Sequence, residues 1–346
     1  MAAASRWPRR VILVLAAGVL AGLPGAPAAA DETDVADETD VAVRVGTTTI
    51  ARGTIDAVLR RVSPAVFGGG ESRLQLEAAV VEQLVDEAIL RRELSRQLVA
   101  VADSEVDRGL QRLKAQFVGK PLTFEDFLAR SGRDESMLRQ QIAVEIGLEK
   151  YVRQRLTPEA IEAAYAKDHR EVDGTQLRVS HVVLRPDVIG DDGLERRIKQ
   201  AADIRREVLQ GRTTFEEAAR RYSAGPSRSR GGDLGWIGRD GPLIEAFAKP
   251  AFAIAKGEVS RPFVTPFGIH IVKVTAIEPG RVGIGAARPR LEKMLATRFI
   301  RELIAEGRRA TAVEYQEGVP HFDPSTPVDG PEPRRVVVGP VAAAAN

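Results

Sequence analysis

The chain has 346 residues, of which 44% are hydrophobic and 28% are charged, and its formal net charge at pH 7 is +2. This length predicts two domains, and this composition is that of a globular protein rather than a fibrous or membrane-embedded one. The small net charge, without a long basic run interleaved with aromatic residues, argues against nucleic acid as a partner. The chain has no cysteine, which excludes disulfides and thiol chemistry.

The histidines also argue against a metal centre. The chain has four, His169, His181, His270 and His321, with no i, i+3 or i, i+4 pairing and no acidic cluster nearby. Protein metal sites draw on such local groups of ligands. The sequence therefore predicts no metal and no cofactor.

The first 30 residues have the pattern of a secretory signal peptide. Arg6, Arg9 and Arg10 precede an apolar run at 11–23, and three alanines at 28–30 supply the small-residue cleavage signal. The run is short for a membrane span, no stop-transfer pattern follows it, and no cysteine is present for a lipid anchor. We expect export, to the periplasm or beyond the cell, without stable membrane insertion after cleavage.

Residues 31–40 are acidic and predict a flexible leader, and residues 41–168 predict a mainly helical domain. One strand, Val41 to Ile50, starts this domain. A long amphipathic helix at about 73–97 has apolar residues at three- and four-residue spacing. Shorter helices are expected after the N-terminal signals Thr54, Asp103, Thr123, Asp134 and Thr157-Pro158.

Residues 173–278 change in character and predict an α+β domain. Strands are expected at 177–184, 261–264 and 269–276, and helices at 194–210, after Thr213 or Thr214, and at 243–248. Residues 286–318 then predict a helix and a strand at 312–315 that returns to pair with the first strand. The α+β block is thus inserted in, or appended to, the helical domain. Residues 323–346, rich in proline and small residues, predict a disordered tail.

Two histidines in the α+β block lie on apolar strands, His181 in LRVSHVVL and His270 in FGIHIVKV, on either side of GGDLGW at 231–236. A single strand histidine is usually a core residue, and GGDLG alone is usually a turn. Because histidine is scarce in this chain, two on one predicted sheet indicate a site.

With FEEAARRYS at 215–223, GEVS at 257–260 and TPFGIHIVKV at 265–274, this block resembles the parvulin-type peptidyl-prolyl isomerases. The flanking helical segments are similar to those of the SurA chaperones and PrsA foldases. The resemblance implies an antiparallel sheet with helices, inserted in or appended to a SurA-like helical domain.

The resemblance also implies roles for individual residues. His181 and His270 correspond to the facing histidines of the family, and Thr265 to a hydroxyl that contacts them. Four residues correspond to the wall that holds the proline ring: Leu234, Leu243, Phe247 and Phe267.

The sequence departs from the family at Gly225, where a cysteine or aspartate is usual. Ser223 and Ser227 are the candidate polar contributors nearby. Asp233 is expected to hold the glycine-rich loop, and Phe252 to pack in the core.

The resemblance implies an exported peptidyl-prolyl cis/trans isomerase that assists the folding of secreted or outer-membrane proteins. Its partners would be unfolded or nascent exported polypeptides and proline-containing peptides. The alternative, favoured by Gly225, is a SurA-like holdase whose isomerase domain binds peptide with weak or no catalysis. A third hypothesis is a peptide-docking module in an envelope complex.

Overall fold

The structure is a computed structural model. It describes residues 40–59, 70–97, 99–131, 134–185, 191–323, 336–338 and 342–343. The predicted signal peptide and nearly all of the acidic leader lie outside these ranges. The described residues form two compact units. The first comprises those within 1–160, 292–326 and 334–346, and the second those within 161–291.

The helices, in chain order, are α1 (Arg52–Leu59), α2 (Gly70–Arg96), α3 (Asp103–Ala115), α4 (Phe124–Ser131), α5 (Glu135–Arg155), α6 (Pro158–Asp168), α7 (Asp191–Leu209), α8 (Phe215–Tyr222), α9 (Glu245–Phe252) and α10 (Ile284–Ala310). The strands are β1 (Val41–Val45), β2 (Thr48–Ala51), β3 (Gln176–Leu184), β4 (Asp233–Gly238), β5 (Phe263–Thr265), β6 (Gly268–Glu278), β7 (Val313–Tyr315), β8 (Pro320–Phe322), β9 (Val336–Val338) and β10 (Ala342–Ala343).

Helix α2 is the spine of the first unit, because its residues contribute to two cores. Val81, Val85 and Ile89 pack with residues of the small sheet, whereas Leu90 and Leu94 pack with apolar residues of α5 and α10. The apolar face expected for this helix is therefore buried, apart from its first turns, where Leu74 is 41% exposed.

The sheet of the first unit is antiparallel, with the order β10-β7-β1-β2. The expectation of one strand over Val41 to Ile50 is wrong, because the chain turns back after Val45 and forms a β1–β2 hairpin. Gly46 allows this turn with a φ of 60°. The alternating pattern continues through the turn, so hydrophobicity alone does not reveal it.

The N-caps of α3 and α5 can be compared with the N-caps that the sequence predicts. Asp134 accepts a hydrogen bond from the Met137 N–H and is the N-cap of α5, as expected. The expectation that Asp103 caps α3 is wrong by one residue, since Ala102 is the N-cap. Asp103 is instead the first helical residue, where its charge favourably meets the positive end of the helix dipole.

The expectation of disorder from residue 323 onward is wrong at two short segments. Strand β9 pairs with β8, and β10 pairs with β7. The Val336–Val338 segment is a run of β-branched residues, which favours a strand even within a proline-rich stretch.

The second unit confirms the α+β prediction. Its sheet is antiparallel, with the order β4-β3-β6-β5. Thr214 caps α8 through a reciprocal capping box with Glu217. None of the helices in the described ranges is both long enough and apolar enough to cross a membrane.

The two faces of this sheet carry different layers. Val182 and Leu184 of β3 pack in one core with residues of α7 and α8. Leu177 and Val179 pack in a second core with Phe247 of α9. Because side chains alternate along a strand, His181 shares the α9 face with Val179.

Candidate active site

The register of β3 and β6 brings the two histidines together. His181 lies opposite Val272, and His270 lies opposite Val183. The histidines are therefore diagonal neighbours on one face of adjacent strands. Their rings stack with centroids 5.6 Å apart and planes inclined by 27°.

Each histidine contacts a buried hydroxyl group. Nε2 of His270 lies 2.8 Å from Oγ1 of Thr265, which is the last residue of β5. Nε2 of His181 lies 3.0 Å from Oγ of Ser227, in a 3₁₀ turn at Pro226–Arg230. The structure thus places the pair between two hydroxyls on different elements.

Burial keeps both imidazoles uncharged. His181 is 8% exposed and His270 is 4% exposed. Desolvation lowers the pKa of each to about 4, and for His270 the proximity of His181 lowers the pKa further. Among the described residues, neither Nδ1 atom has a hydrogen-bond partner.

Aromatic rings enclose the pair. Phe247 forms a T-shaped contact with each imidazole, with ring centroids 5.9 Å apart for His181 and 5.4 Å apart for His270. Phe263 stacks on His270 at 5.6 Å and also contacts Phe247. Phe263 was not singled out by sequence reasoning, although its alternation with Thr265 on β5 was a usable signal.

The four expected wall residues do not all lie in the same environment. Phe247 is buried, and Leu234 and Leu243 are partly buried against the same apolar core. Phe267 is 63% exposed in the β5–β6 turn, so the structure does not place it in the buried wall. Phe252 is buried in this core, as expected.

Ser223 and Asp233 serve the backbone around the site. Oγ of Ser223 accepts from the N–H groups of Val183 and Gly225, at 3.2 and 3.3 Å. Asp233 accepts from the Gly235 N–H and pairs with Arg178, and hydrogen bonding from Arg178 lowers the pKa of its carboxyl group. Asp233 thus holds the loop, as expected.

Gly225 faces the site but carries no side chain into it. A Cβ atom added there would lie 3.2 Å from Nε2 of His181 and 2.9 Å from Cγ1 of Val183. The position that the resemblance associates with a polar side chain is therefore aimed at His181. There is little free space between Gly225 and the side chains of Val183 and His181.

Arg239 holds the start of α9, and sequence reasoning missed it. Its guanidinium donates to both carboxylate oxygens of Glu245, each at 2.6 Å, and also to Glu171. The two carboxylates raise the pKa of Arg239. Because α9 carries Phe247, this ion-pair cluster helps to fix the wall of the site.

Family models match two parts of the chain. The model for the PPIC-type PPIase domain matches residues 181–276. The model for the SurA-like N-terminal domain matches residues 2–152. The chain is thus similar to each of these families over a different part of its length. The resemblance stated from the sequence is thereby confirmed.

Similar proteins are named as foldases and chaperones. The foldase protein PrsA of Bacillus subtilis is 31% identical over 198 residues, which are 57% of this chain and 59% of that protein. The chaperone SurA of Alkalilimnicola ehrlichii is 34% identical over 131 residues, which are 37% of this chain and 29% of that protein. The chain thus spans less than two thirds of the length of these relatives.

Among solved structures, the peptidylprolyl isomerase PrsA from Bacillus anthracis matches with a TM-score of 0.38 and 21% sequence identity. The match covers 66% of this chain and 96% of that one.

Proposed function

We propose that this protein is an exported peptidyl-prolyl cis/trans isomerase that assists the folding of other exported polypeptides. The observation that carries the proposal is the buried, uncharged pair of His181 and His270, enclosed by aromatic rings within a PPIC-type PPIase domain.

The reaction requires no bond to the substrate. The barrier to prolyl isomerisation arises from C–N resonance in the amide and amounts to about 18–20 kcal/mol. A catalyst must therefore bind the twisted amide, in which this resonance is lost, more tightly than the planar amide. An apolar, water-poor pocket favours the twisted form, because the planar amide is the more polarised of the two.

The site has the parts for this task. Phe247, Leu234 and Leu243 belong to one apolar layer, against which a proline ring would pack. The two histidines lie beside Phe247 and give the base of this layer a neutral polar character, although their Nδ1 atoms are buried and have no partner among the described residues. With a pKa of about 4, both rings stay neutral at pH 7 and do not draw water into the pocket.

The partners and the location are proposed on separate grounds. The relatives are named as foldases and chaperones, which supports unfolded or nascent polypeptides with accessible prolines as clients. The N-terminal pattern of arginines, apolar run and alanines supports export, with the periplasm as the expected compartment.

The holdase alternative is favoured by one observation, the absence of a polar side chain at Gly225. However, the Ser227 hydroxyl contacts the same nitrogen of His181 that a residue at Gly225 would face. The isomerase is therefore the better supported function. Chaperone activity of the helical unit is compatible with it.

The deciding experiment is a protease-coupled isomerisation assay with a series of Xaa-Pro tetrapeptides and the full-length mature chain. We expect turnover well above background, a loss of at least about tenfold in kcat/KM for Phe247→Ala, and no change for Leu209→Ala. Leu209 is the matched control, because it is an exposed apolar residue of the same unit, outside the site. Wild-type turnover at the background rate, with the protein folded by circular dichroism, would exclude the isomerase.

A further inference from the structure

Three rings form a continuous stack on the α9 face of the sheet. Phe263 of β5 lies directly opposite His270 of β6, and its ring stacks on that imidazole with centroids 5.6 Å apart and planes inclined by 18°. His181 stacks on His270 from β3, on the other side of β6. His270 is therefore the middle ring of the stack.

Phe247 crosses this stack at a steep angle. Its ring lies 5.8 Å from that of Phe263, with planes inclined by 69°, and it forms the T-shaped contacts to both histidines described above. Aromatic rings favour such T-shaped and offset-stacked arrangements. The orientation of the Phe247 ring thus depends on three ring contacts, one of which Phe263 supplies.

Phe263 covers His270 on the side of the sheet edge. Strand β5 is the outermost strand of this sheet, next to β6. Phe263 and Thr265 alternate on β5 and lie on the same face, so both reach His270, one with its ring and the other with its hydroxyl group. Phe263 is itself only 8% exposed. Because desolvation lowers the pKa of His270, the cover that Phe263 provides helps to keep this ring uncharged.

We infer that Phe263 is a positioning residue of the isomerase site, which shields the imidazole of His270 from water at the sheet edge and holds the ring of Phe247 against the histidine pair. An aliphatic side chain could fill much of the same volume, but it has no flat face for His270 to stack on. The effect on turnover rests on the proposed isomerase function, whereas the shielding of His270 does not.

The test compares Phe263→Leu with Phe252→Leu in the full-length mature chain. Phe252 is the matched control, because it is buried in the same apolar core and, among the described residues, its ring stacks on neither histidine. Both variants replace the same side chain by the same smaller one. A loss of packing alone would therefore affect them alike.

Shielding is measured with diethyl pyrocarbonate at pH 7, which acylates accessible uncharged imidazoles, and the product is quantified at each histidine by mass spectrometry. His169 is the internal reference, because its side chain is 45% exposed. In the wild type and in Phe252→Leu, His270 should react at least about tenfold more slowly than His169. Phe263→Leu should raise the rate at His270 by at least about threefold and leave the rate at His169 unchanged.

Turnover is measured with the Xaa-Pro tetrapeptides. Phe263→Leu should lower kcat/KM by about tenfold relative to Phe252→Leu, because it releases both His270 and Phe247. Circular dichroism establishes that both variants are folded.

A wild-type His270 that reacts as fast as His169 would overturn the inference, and this result needs no variant to fold. An equal change at His270 in both folded variants, or no change in either, would also overturn it. In an active wild type, equal kcat/KM values for the two variants would overturn the role of Phe263 in positioning the site. If Phe263→Leu alone exposes His270 but the wild type shows no turnover, the isomerase proposal fails and the shielding by Phe263 stands.

Discussion

Acidification should destabilise the second unit well before its carboxylates are protonated. The pKa of His181 and of His270 falls from 6.5 to about 4 on folding, because burial disfavours the charged ring. The unfolded chain therefore binds protons at these two positions between pH 6.5 and 4, and the folded chain does not. Their contribution to stability is complete above pH 6.5 and is lost as the pH falls toward 4.

The size of the effect follows from the shift. Within this window each pH unit removes about 1.4 kcal/mol per histidine, so the loss at pH 5 is about 2 kcal/mol for one ring and about 4 kcal/mol for the pair. The carboxyl groups of Asp173 and Asp233 also have a lowered pKa, but their ordinary value is 3.8. At pH 5 they are ionised in both states and contribute almost nothing to the change.

Tryptophan fluorescence can isolate this effect. The chain has two tryptophans, Trp7 and Trp236, and removal of residues 1–30 leaves only Trp236, in β4 of the second unit. Urea unfolding followed at Trp236 should give the free energy of unfolding at pH 7, 6 and 5. His181→Gln or His270→Gln should each remove about half of the loss. Equal stability at pH 7 and 5, or variants with the same pH dependence as wild type, would refute the assignment of the loss to these rings.

Five substitutions at four positions test the surroundings of the site by the same unfolding measurement. Phe247→Ala should cost about 3–5 kcal/mol, because it empties a buried position, whereas Phe267→Ala should stay within about 0.5 kcal/mol because its ring is largely exposed. Similar costs for the two would contradict their assigned environments. Gly225→Ala should cost about 1–3 kcal/mol, because the new Cβ presses on a valine methyl group and a histidine nitrogen. A stabilised variant would show that the turn has more room. Arg239→Ala should cost about 1–3 kcal/mol, because it removes charge-assisted hydrogen bonds from two carboxylates. Arg239→Lys should recover only part of this loss, since lysine cannot form the paired bonds to Glu245, and full recovery would contradict that geometry.

The strands that carry the two histidines were predictable from the sequence. LRVSHVVL and FGIHIVKV are apolar segments of strand length, which predicts that the histidines within them lie on buried strands. The pairing of the strands was not encoded in either segment. A slip of one residue would move His270 to the opposite face from His181, and the family pattern supplied the missing information.

Several contacts around the site come from turns and from long-range ion pairs. The hydrophobic periodicity of the sequence does not predict such contacts. The inward direction of Ser227 comes from a 3₁₀ turn and its tie to β3. The exposure of Phe267 comes from its place in the β5–β6 turn. Arg239 meets Glu171 across 68 positions of sequence. In the same way, the β1–β2 turn at Gly46 interrupts a pattern that continues to alternate.

The buried histidines are not explained by packing alone. The same face of the sheet accommodates Val179 and Val272 without exposure, so apolar side chains fit there. Two imidazoles with unpartnered Nδ1 atoms stabilise this core less than apolar residues of similar size would, because each buried polar group without a partner costs about 1–3 kcal/mol. Among the described residues, nothing supplies the missing partner. The pair is therefore present at a cost to the stability of this core, in line with the functional role that we propose for it.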